Sequence, residues 1–295
     1  MTRGRRMTEQ ATASLRDWVG RTETRADQVT ATPYAALAAT LDHPVLRPES
    51  GTPLPAPWHW LYFLPLQRQS EIGPDGHARR GGFMPPVPLP RRMWAGGRML
   101  FHAPLRVGDV LRRSSTIESV EEKHGRSGDL VFVRVRHEIS VDHAGAPVAL
   151  TEWQDIVYRA AARPGDPVPA PVAAPAPSAW RREHRPDAVL LMRYSALTFN
   201  GHRIHYDRDY ATQAEGYPGL VVHGPLIATL LLDLLHQHLP GAELASFEFR
   251  AVRPLFDGRT MAVDAQPLDG GRGYRVWAAD HEGWLAMDAT VALKR

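Results

Sequence analysis

The chain has 295 residues, of which 43% are hydrophobic, and it carries a formal net charge of +3 at pH 7. This length and composition suffice for one large domain or two of ordinary size. Cysteine is absent, which excludes disulfides, thiolate metal ligands and cysteine nucleophiles. No run of about 18 apolar residues predicts a transmembrane helix, and no apolar core of a secretory signal follows the basic N-terminus. These features favour a cytoplasmic enzyme or binding protein.

The positive charge is almost entirely arginine, because Lys123 and Lys294 are the only lysines. Proteins that bind nucleic acids usually cluster their basic residues and interleave aromatic ones, whereas here the arginines are spread along the chain and balanced by acids. No nucleic-acid partner is therefore predicted. A few arginines could instead meet a carboxylated or phosphorylated small ligand.

The first half begins with two predicted helices. Residues 13–25 place Leu15, Trp18 and Val19 on one face, as an amphipathic helix does. Residues 32–42 predict a second helix, with Thr32 as its cap and Pro33 at its first position. The region that follows, up to residue 159, is dense in strand signals with a hairpin turn at "DHAG".

Residues 161–178, "AARPGDPVPAPVAAPAPS", alternate Pro and Ala and predict an extended linker between two domains, 1–160 and 179–295. In the second half, residues 218–239 predict a helix that is apolar nearly all round and must be surrounded by protein. Four strand signals follow it. This order favours an α+β fold in which an antiparallel sheet wraps around one long central helix.

The two halves resemble each other weakly. "FHAPLRVGDVLRRSSTIESV" in the first matches "FRAVRPLFDGRTMAVDAQPL" in the second, each with an aromatic residue, an Arg, a Pro and a Gly/Asp turn that opens a strand. The repeat predicts two duplicated domains packed side by side. The long leucine-rich helix is missing from the first copy, where "PRRMWAGGRM" stands at its expected place.

A polar stretch, "YSALTFNGHRIHYDRDY", precedes the leucine-rich helix and concentrates protonatable groups. His205 titrates near neutrality and can take up or return a proton. Asn200 can orient a water through its amide donor and its carbonyl acceptor. His223 and Gly224 open the helix, and the unpartnered N–H groups of a first helical turn can stabilise negative charge forming on a thioester oxygen.

These residues resemble the MaoC-like (R)-specific enoyl-CoA hydratase and dehydratase group, whose fold is the double hot-dog. The motif of that group is matched here by the run Tyr194, Ser195, Ala196, Leu197, Thr198, Phe199, Asn200, Gly201, His202, Arg203, Ile204, His205, Tyr206 and Asp207. The resemblance implies that His205 is the catalytic histidine and that Gly224, in "HGP", polarises the thioester carbonyl through its N–H. It also implies a degenerate hot-dog domain at 1–160 and a catalytic one at 179–295.

"TFNGHRIHYD", together with "LRDWVGRTET", "LAATLD", "GPDGH", "RRMWAGGRM" and "LRVGD", is similar to one branch of the group, the itaconyl-CoA and mesaconyl-C(4)-CoA hydratases. Relatives of the mitochondrial 3-hydroxyacyl thioester dehydratases share the pattern. In this branch Asn200 replaces the usual catalytic aspartate, so His205 must serve as both acid and base or be helped by another acid. Tyr206, Asp207 and Glu215 are the candidate helpers.

Three further residues are candidates for substrate binding. Arg203 either binds a substrate carboxylate or pairs with Asp207 or Asp209. Arg98 is a second candidate for a carboxylate or phosphate, and His223 either contacts the substrate or only forms a structural hydrogen bond. His202 is interpreted as structural. No metal and no other cofactor is predicted, because His202, His205 and Asp207 lack the spacing of common zinc sites.

The resemblance implies hydration of a branched, carboxylated enoyl-CoA to a 3-hydroxyacyl-CoA such as citramalyl-CoA. Two alternatives remain open at this point. One is a 3-hydroxyacyl-ACP or acyl-CoA dehydratase of fatty acid metabolism, and the other is a non-catalytic hot-dog module that binds an acyl thioester. No membrane partner is expected, and a homodimer is expected by analogy of fold.

Overall fold

The structure is a computed structural model that describes residues 14–44, 47–125, 128–161, 170–268 and 270–295. These residues form ten β-strands and three α-helices, together with several shorter helical turns. In chain order the elements are β1 (Thr22–Gln28), α1 (Ala31–Thr40), β2 (Arg91–Phe101), β3 (Val110–Gly125), β4 (Gly128–Val141), β5 (Val148–Arg159), β6 (Trp180–His184), α2 (Ala188–Leu197), α3 (Gly224–His238), β7 (Leu244–Ala251), β8 (Met261–Pro267), β9 (Gly273–Ala279) and β10 (Leu285–Leu293). None of the α-helices in these ranges is long and apolar enough to cross a membrane.

All ten strands belong to one antiparallel sheet in the order β1-β3-β4-β5-β2-β7-β10-β9-β8-β6. The order is a palindrome, because the second half repeats the arrangement of the first in reverse. β2 and β7 meet at the centre, and β1 and β6 form the two outer edges. The internal repeat predicted from the sequence is therefore visible in the topology.

Helix α3 lies in the core, as its composition predicts. Ten consecutive residues, Leu226 to Leu235, are buried, because the helix packs on the inner face of the sheet and meets apolar side chains on every side. It begins at Gly224 rather than at the predicted Pro218. The preceding segment is instead extended, since Val222 donates to the Leu255 carbonyl at 2.8 Å and Val221 bridges Phe256.

The second predicted helix of the first half is confirmed as α1, but the predicted helix at 13–25 is wrong. Only Leu15–Trp18 form a short 3₁₀ turn. Gly20, with φ +82°, ends this turn, and β1 then pairs with β3 at the sheet edge. The alternating exposure along β1 is that of an edge strand with one covered face, and this tertiary pairing overrides the weak helical pattern.

No second long helix covers the first half among the described residues, and "PRRMWAGGRM" forms the central strand β2. A short 3₁₀ turn, Trp58–Leu61, lies over the inner face of the sheet instead. It is fixed to β5 by a buried carboxylate, since Glu152 accepts hydrogen bonds from His59 Nε2 at 3.0 Å and Trp60 Nε1 at 2.9 Å. Gln154 donates to the same group at 2.9 Å.

Burial alone would raise the pKa of Glu152, but the hydrogen bond and charge of His59 and the contacts with His137 and Gln154 lower it to about 2. The carboxylate is therefore ionised at neutral pH and fully enclosed. A buried charge of this kind is tolerated only while its hydrogen bonds are complete. Glu152 thus stabilises the Trp58–Leu61 segment, which takes the place that α3 has in the second half.

Residues 162–169 of the predicted linker lie outside the described residues. The rest of the linker runs beside the turn between β9 and β10, where Ala174 donates to the Gly283 carbonyl at 2.9 Å and Leu285 donates to that of Val172 at 2.7 Å. The division into domains 1–160 and 179–295 remains our proposal. The sheet and the main apolar core are continuous across both halves.

We expect Glu152→Ala to lower the free energy of unfolding by about 3–5 kcal/mol, because it leaves buried donors on His59, Trp60 and Gln154 without an acceptor. Glu152→Gln is the matched control: it keeps an acceptor of the same shape and should lose less. Chemical denaturation at neutral pH measures both variants. Equal stability of Glu152→Ala and the parent protein would contradict this role.

Candidate active site

The polar stretch forms a compact turn between α2 and a short 3₁₀ helix, Arg203–His205. Tyr194 and Ser195 occupy the last turn of α2, so the first part of the motif is helical. Phe199 adopts a left-handed conformation with φ +49°, and Asn200 then donates to the Ser195 carbonyl at 2.8 Å. This sharp turn reverses the chain and directs the residues after Asn200 back towards the start of α3.

His205 is buried and firmly oriented. Its Nδ1 lies 2.7 Å from the carbonyl oxygen of Val221; since a carbonyl only accepts, Nδ1 carries the proton and Nε2 keeps its lone pair. Burial is the main cause that lowers the pKa of His205, to about 4, and the hydrogen bond to Val221 only partly opposes it. The imidazole is therefore neutral at physiological pH and suited to accept a proton.

The N-terminus of α3 lies directly beside this ring. The rings of His205 and His223 stack at a centroid distance of 3.7 Å, and His223 is the N-cap that immediately precedes Gly224. His223 itself is held by Ser195, whose Oγ lies 2.8 Å from Nε2. Burial lowers the pKa of His223 well below its usual value, so this histidine is also neutral.

Gly224 offers both a donor and space. At the first position of α3 its N–H has no intrahelical partner, and it lies at the positive end of the helix dipole. A Cβ atom added here would meet nothing within 4 Å, so the glycine is not required by packing within the protein. The space at this Cβ position is open, and the glycine directly follows His223, whose ring stacks on that of His205.

A segment from the first half, residues 73–79, completes the cluster. It packs against the turn after Asn200 so closely that a Cβ on Gly76, whose φ is +90°, would lie 1.7 Å from the Gly201 carbonyl oxygen. Arg203 donates its backbone N–H to the Asp75 carbonyl at 2.9 Å. This contact places the His77 ring 4.1 Å from that of His202, centroid to centroid.

The sequence does not predict that Asp75, His77 and His202 share a site, although "GPDGH" is part of the similarity to the hydratase branch. His77 Nδ1 lies 3.1 Å from Asp75 Oδ2. Burial raises the pKa of Asp75, but His77 overcomes this effect and lowers it to about 2. The three side chains place potential ligand atoms within 4.8 Å of one another, a spacing that a metal ion could also use.

The remaining sequence candidates are placed as follows. Arg203 pairs with Asp207 at 2.8 Å and stacks over Tyr210, which is the structural alternative considered for it. Asn200 accepts the His202 N–H on its Oδ1 at 3.0 Å, which leaves its amide NH₂ and one lone pair of Oδ1 to hold a water. Arg98 is exposed over Trp153, on the face of β2 opposite the core residue Met99.

The candidate helper acids also have protein partners. Asp207 is occupied by Arg203, Glu215 by Arg91 at 3.0 Å, and the Tyr206 hydroxyl by the Gly201 carbonyl at 2.9 Å. Two surface clefts of about 340 and 260 Å³ do not border His205. The structure thus places His205 beside His223 and the start of α3, with Asn200 on the preceding turn and with Asp75 and His77 next to His202.

Comparison with known proteins agrees with this geometry. Residues 57–257 match the family described as hydroxyacyl-thioester dehydratase type 2. The chain is 47% identical over 279 residues to the mesaconyl-C(4)-CoA hydratase of Chloroflexus aurantiacus, and the match covers 94% of this chain and 96% of that protein. This relative and the family confirm a hydro-lyase, in place of the alternative of a non-catalytic module.

Solved structures confirm the fold. A MaoC-like dehydratase from Phytophthora capsici superimposes with a TM-score of 0.64 at 15% identity, covering 94% of this chain and 96% of the other. A Mycobacterium tuberculosis protein described as having a double hot-dog fold gives a TM-score of 0.56 at 15% identity, with 93% and 96% covered. The predicted α+β double hot-dog fold is confirmed, and the chain belongs to the hydroxyacyl-thioester dehydratase type 2 family.

Proposed function

We propose that the chain hydrates a branched, carboxylated enoyl-CoA, itaconyl-CoA or mesaconyl-C(4)-CoA, to a 3-hydroxyacyl-CoA such as citramalyl-CoA. His205 Nε2 takes a proton from water while the water oxygen bonds to the β-carbon. In mesaconyl-C(4)-CoA the electrons of the double bond move towards the conjugated thioester carbonyl, whose oxygen is stabilised by the Gly224 N–H. His205 then returns its proton to the α-carbon, and no other proton is gained or lost. The double bond of itaconyl-CoA is not conjugated with its thioester, so itaconyl-CoA follows this route only after it loses an α-proton and gains a proton at its methylene carbon.

The observation that carries this proposal is the stacking of His205 on His223 at the start of α3. It places the unprotonated imidazole of His205 against the residue that precedes Gly224, whose backbone N–H has no intrahelical partner and whose Cβ position is open. A general base contributes roughly 10²–10⁴-fold and one oxyanion donor on the order of 10²–10³-fold. The two groups therefore account for a substantial acceleration without a cofactor.

The substrate part of the proposal draws on the similarity to the mesaconyl-C(4)-CoA hydratase. The family description equally supports a second candidate, dehydration of a 3-hydroxyacyl thioester with an uncharged chain. Loss of the conjugated thioester chromophore with mesaconyl-C(4)-CoA and crotonyl-CoA, together with chromatographic detection of the hydrated product from itaconyl-CoA, separates the two. A strong preference for crotonyl-CoA would contradict the carboxylated substrate and favour the second candidate.

We also propose a cytoplasmic location and a homodimer. The edge strands β1 and β6 have unpaired backbone groups along one side, as edge strands do, and they offer the surfaces through which two copies would associate. Light scattering coupled to size-exclusion chromatography measures the assembly. A monomer at micromolar concentration would contradict the homodimer.

We expect His205→Gln to reduce kcat by about 10²–10⁴-fold, because it removes the general base. Glutamine keeps an amide that can donate to the Val221 carbonyl, so the fold should be retained. His202→Gln is a matched control on the same turn and should lose less. Steady-state rates of hydration test both, and an unchanged kcat in His205→Gln would remove His205 from the mechanism.

The pH profile provides a separate check. The neutral form of His205 is the active base, and its pKa is lowered to about 4. We therefore expect kcat/KM to stay level between about pH 6 and 8 and to fall only as the pH drops towards the pKa of this ring. Stopped-flow mixing limits acid unfolding during the measurement. A decline centred near the usual histidine value would contradict His205 as the titrating base.

Gly224 permits a test of the backbone donor alone. We expect Gly224→Pro to lower kcat by about 10²–10³-fold, because it removes the N–H. Proline is tolerated at the first position of a helix, and His223 already has the extended conformation that precedes proline. Gly224→Ala is the control that adds a Cβ but keeps the N–H. Equal activity of the two variants would argue against a role for this N–H.

A further inference from the structure

The N-terminal end of β2 has no strand beside it on the edge that pairs with β7 further along. β2 pairs with β5 over its whole length, but its pairing with β7 covers only Gly96 to Leu100. The polar segment that follows the catalytic turn lies beside the unpaired end. Arg91 shows this, because it forms an ion pair with Glu215 at 3.0 Å and stacks over Tyr217 at 4.9 Å.

Arg92 lies on the inner face of this unpaired end. Its cross-strand neighbour on β5 is Tyr158, which is almost completely buried. Arg92 is itself half-buried, and it forms no hydrogen bond or ion pair with any residue that the structure describes. A guanidinium has five N–H donors, and partial burial without an acceptor is unfavourable. Such a group is suited to bind an anionic ligand.

The segment 73–80 brings the histidine cluster to the same place. Arg80 lies over the Tyr158 ring at 5.3 Å and donates to the Pro90 carbonyl at 2.7 Å. Its guanidinium is thereby occupied, unlike that of Arg92. Three residues before it, His77 contacts the His202 ring. The positive charge of Arg92 contributes to lowering the pKa of both His77 and His202, although burial is the larger cause for each.

Arg92 is the charge near this cluster that no described protein group pairs. The four histidines are neutral, since burial lowers the pKa of each, and Asp75 is the acidic side chain that contacts His77. Asp75 is already engaged, since its two oxygens accept from the backbone N–H and the ring of His77 at 3.1 Å each. An uncharged acyl chain would leave the positive charge of Arg92 without a partner.

We infer that Arg92, with His77 beside it, binds the free carboxylate of the substrate and so selects carboxylated enoyl thioesters. The inference rests on the proposed function. In mesaconyl-C(4)-CoA the free carboxyl group is attached to the carbon that water attacks, so it must lie within a few ångströms of His205. The His202 ring lies 5.4 Å from that of His205 and 4.1 Å from that of His77, so the three rings form a continuous row that begins beside the attacked carbon.

Arg92→Met tests the inference, with hydration of mesaconyl-C(4)-CoA and crotonyl-CoA measured side by side. We expect kcat/KM for the carboxylated substrate to fall by roughly 10–100-fold, the size of a lost charge-assisted hydrogen bond. The value for crotonyl-CoA should change by less than about threefold, since that substrate has no carboxylate to lose. Arg98→Met removes the same side chain from the opposite face of β2 and should leave both substrates unaffected.

Arg92→Lys and His77→Gln complete the series. Lysine keeps the charge but not the fork that binds both carboxylate oxygens, so it should restore part of the selectivity even if Arg92→Met folds poorly. His77→Gln should lower selectivity in the same direction. Equal losses on both substrates, or no loss on either, would overturn the inference.

Two other results have distinct meanings. A parent protein that hydrates crotonyl-CoA but no carboxylated thioester would overturn the proposed substrate, and the inference with it. A stoichiometric metal in the purified protein, lost in Asp75→Asn, would show that Asp75, His77 and His202 hold a cation that binds the carboxylate in place of Arg92. Elemental analysis of the parent and this variant distinguishes that case.

Discussion

The close backbone contact between Gly76 and Gly201 is the constraint on which the site depends. A side chain at Gly76 would collide with the Gly201 carbonyl, and the φ of +90° is one that other residues rarely adopt. Only this approach lets a segment of the first half contact the catalytic turn of the second. The two halves thus build one site together, although the resemblance places the catalytic histidine and glycine in the second half alone.

The loss of one helix explains why such a contact is possible. A complete second copy of α3 would cover the inner face of the first half, where Trp58–Leu61 now lies. The shorter segment covers less of the sheet, and the chain between α1 and β2 is left to reach across to Gly201. Glu152 then has a structural purpose, because its hydrogen bonds with His59 and Trp60 hold the replacement segment on an inner face that is otherwise largely apolar.

The sequence predicts the second half better than the first. The leucine-rich composition of α3 and the apolar strand signals of β7 to β10 reflect burial in the core, so the sequence pattern reveals them. The helix predicted at residues 13–25 is wrong because edge pairing with β3 outweighs a weak helical pattern. The sequence does not predict β6 or α2. β6 has only five residues, and the last residues of α2 belong to the polar motif, whose composition hides the helix.

Within the site, the motif identified His205, Asn200 and Gly224, and the geometry unites them. The contribution of Asp75 and His77 was not predictable, since more than 120 residues separate them from His202 in the sequence and no local pattern links the two segments. Arg92 lies in "RRMWAGGRM", where it cannot be told from Arg91 by composition. The register of β2 places the two arginines on opposite faces. Arg91 pairs with Glu215 on one face, and Arg92 has no partner among the described residues on the other.

The carboxylate of the proposed substrate gives a physical reason for asparagine at position 200. Its Oδ1 accepts the His202 N–H and so supports the turn, which an aspartate would do equally well. An aspartate would also add a negative charge next to the place where the proposed substrate carries its own carboxylate, and like charges at such separations repel strongly away from bulk water. Asparagine keeps the turn and removes this repulsion. Asparagine cannot serve as an acid or a base. In the proposed mechanism His205 is neutral at the start and both takes and returns the proton, so a second ionisable group is not required.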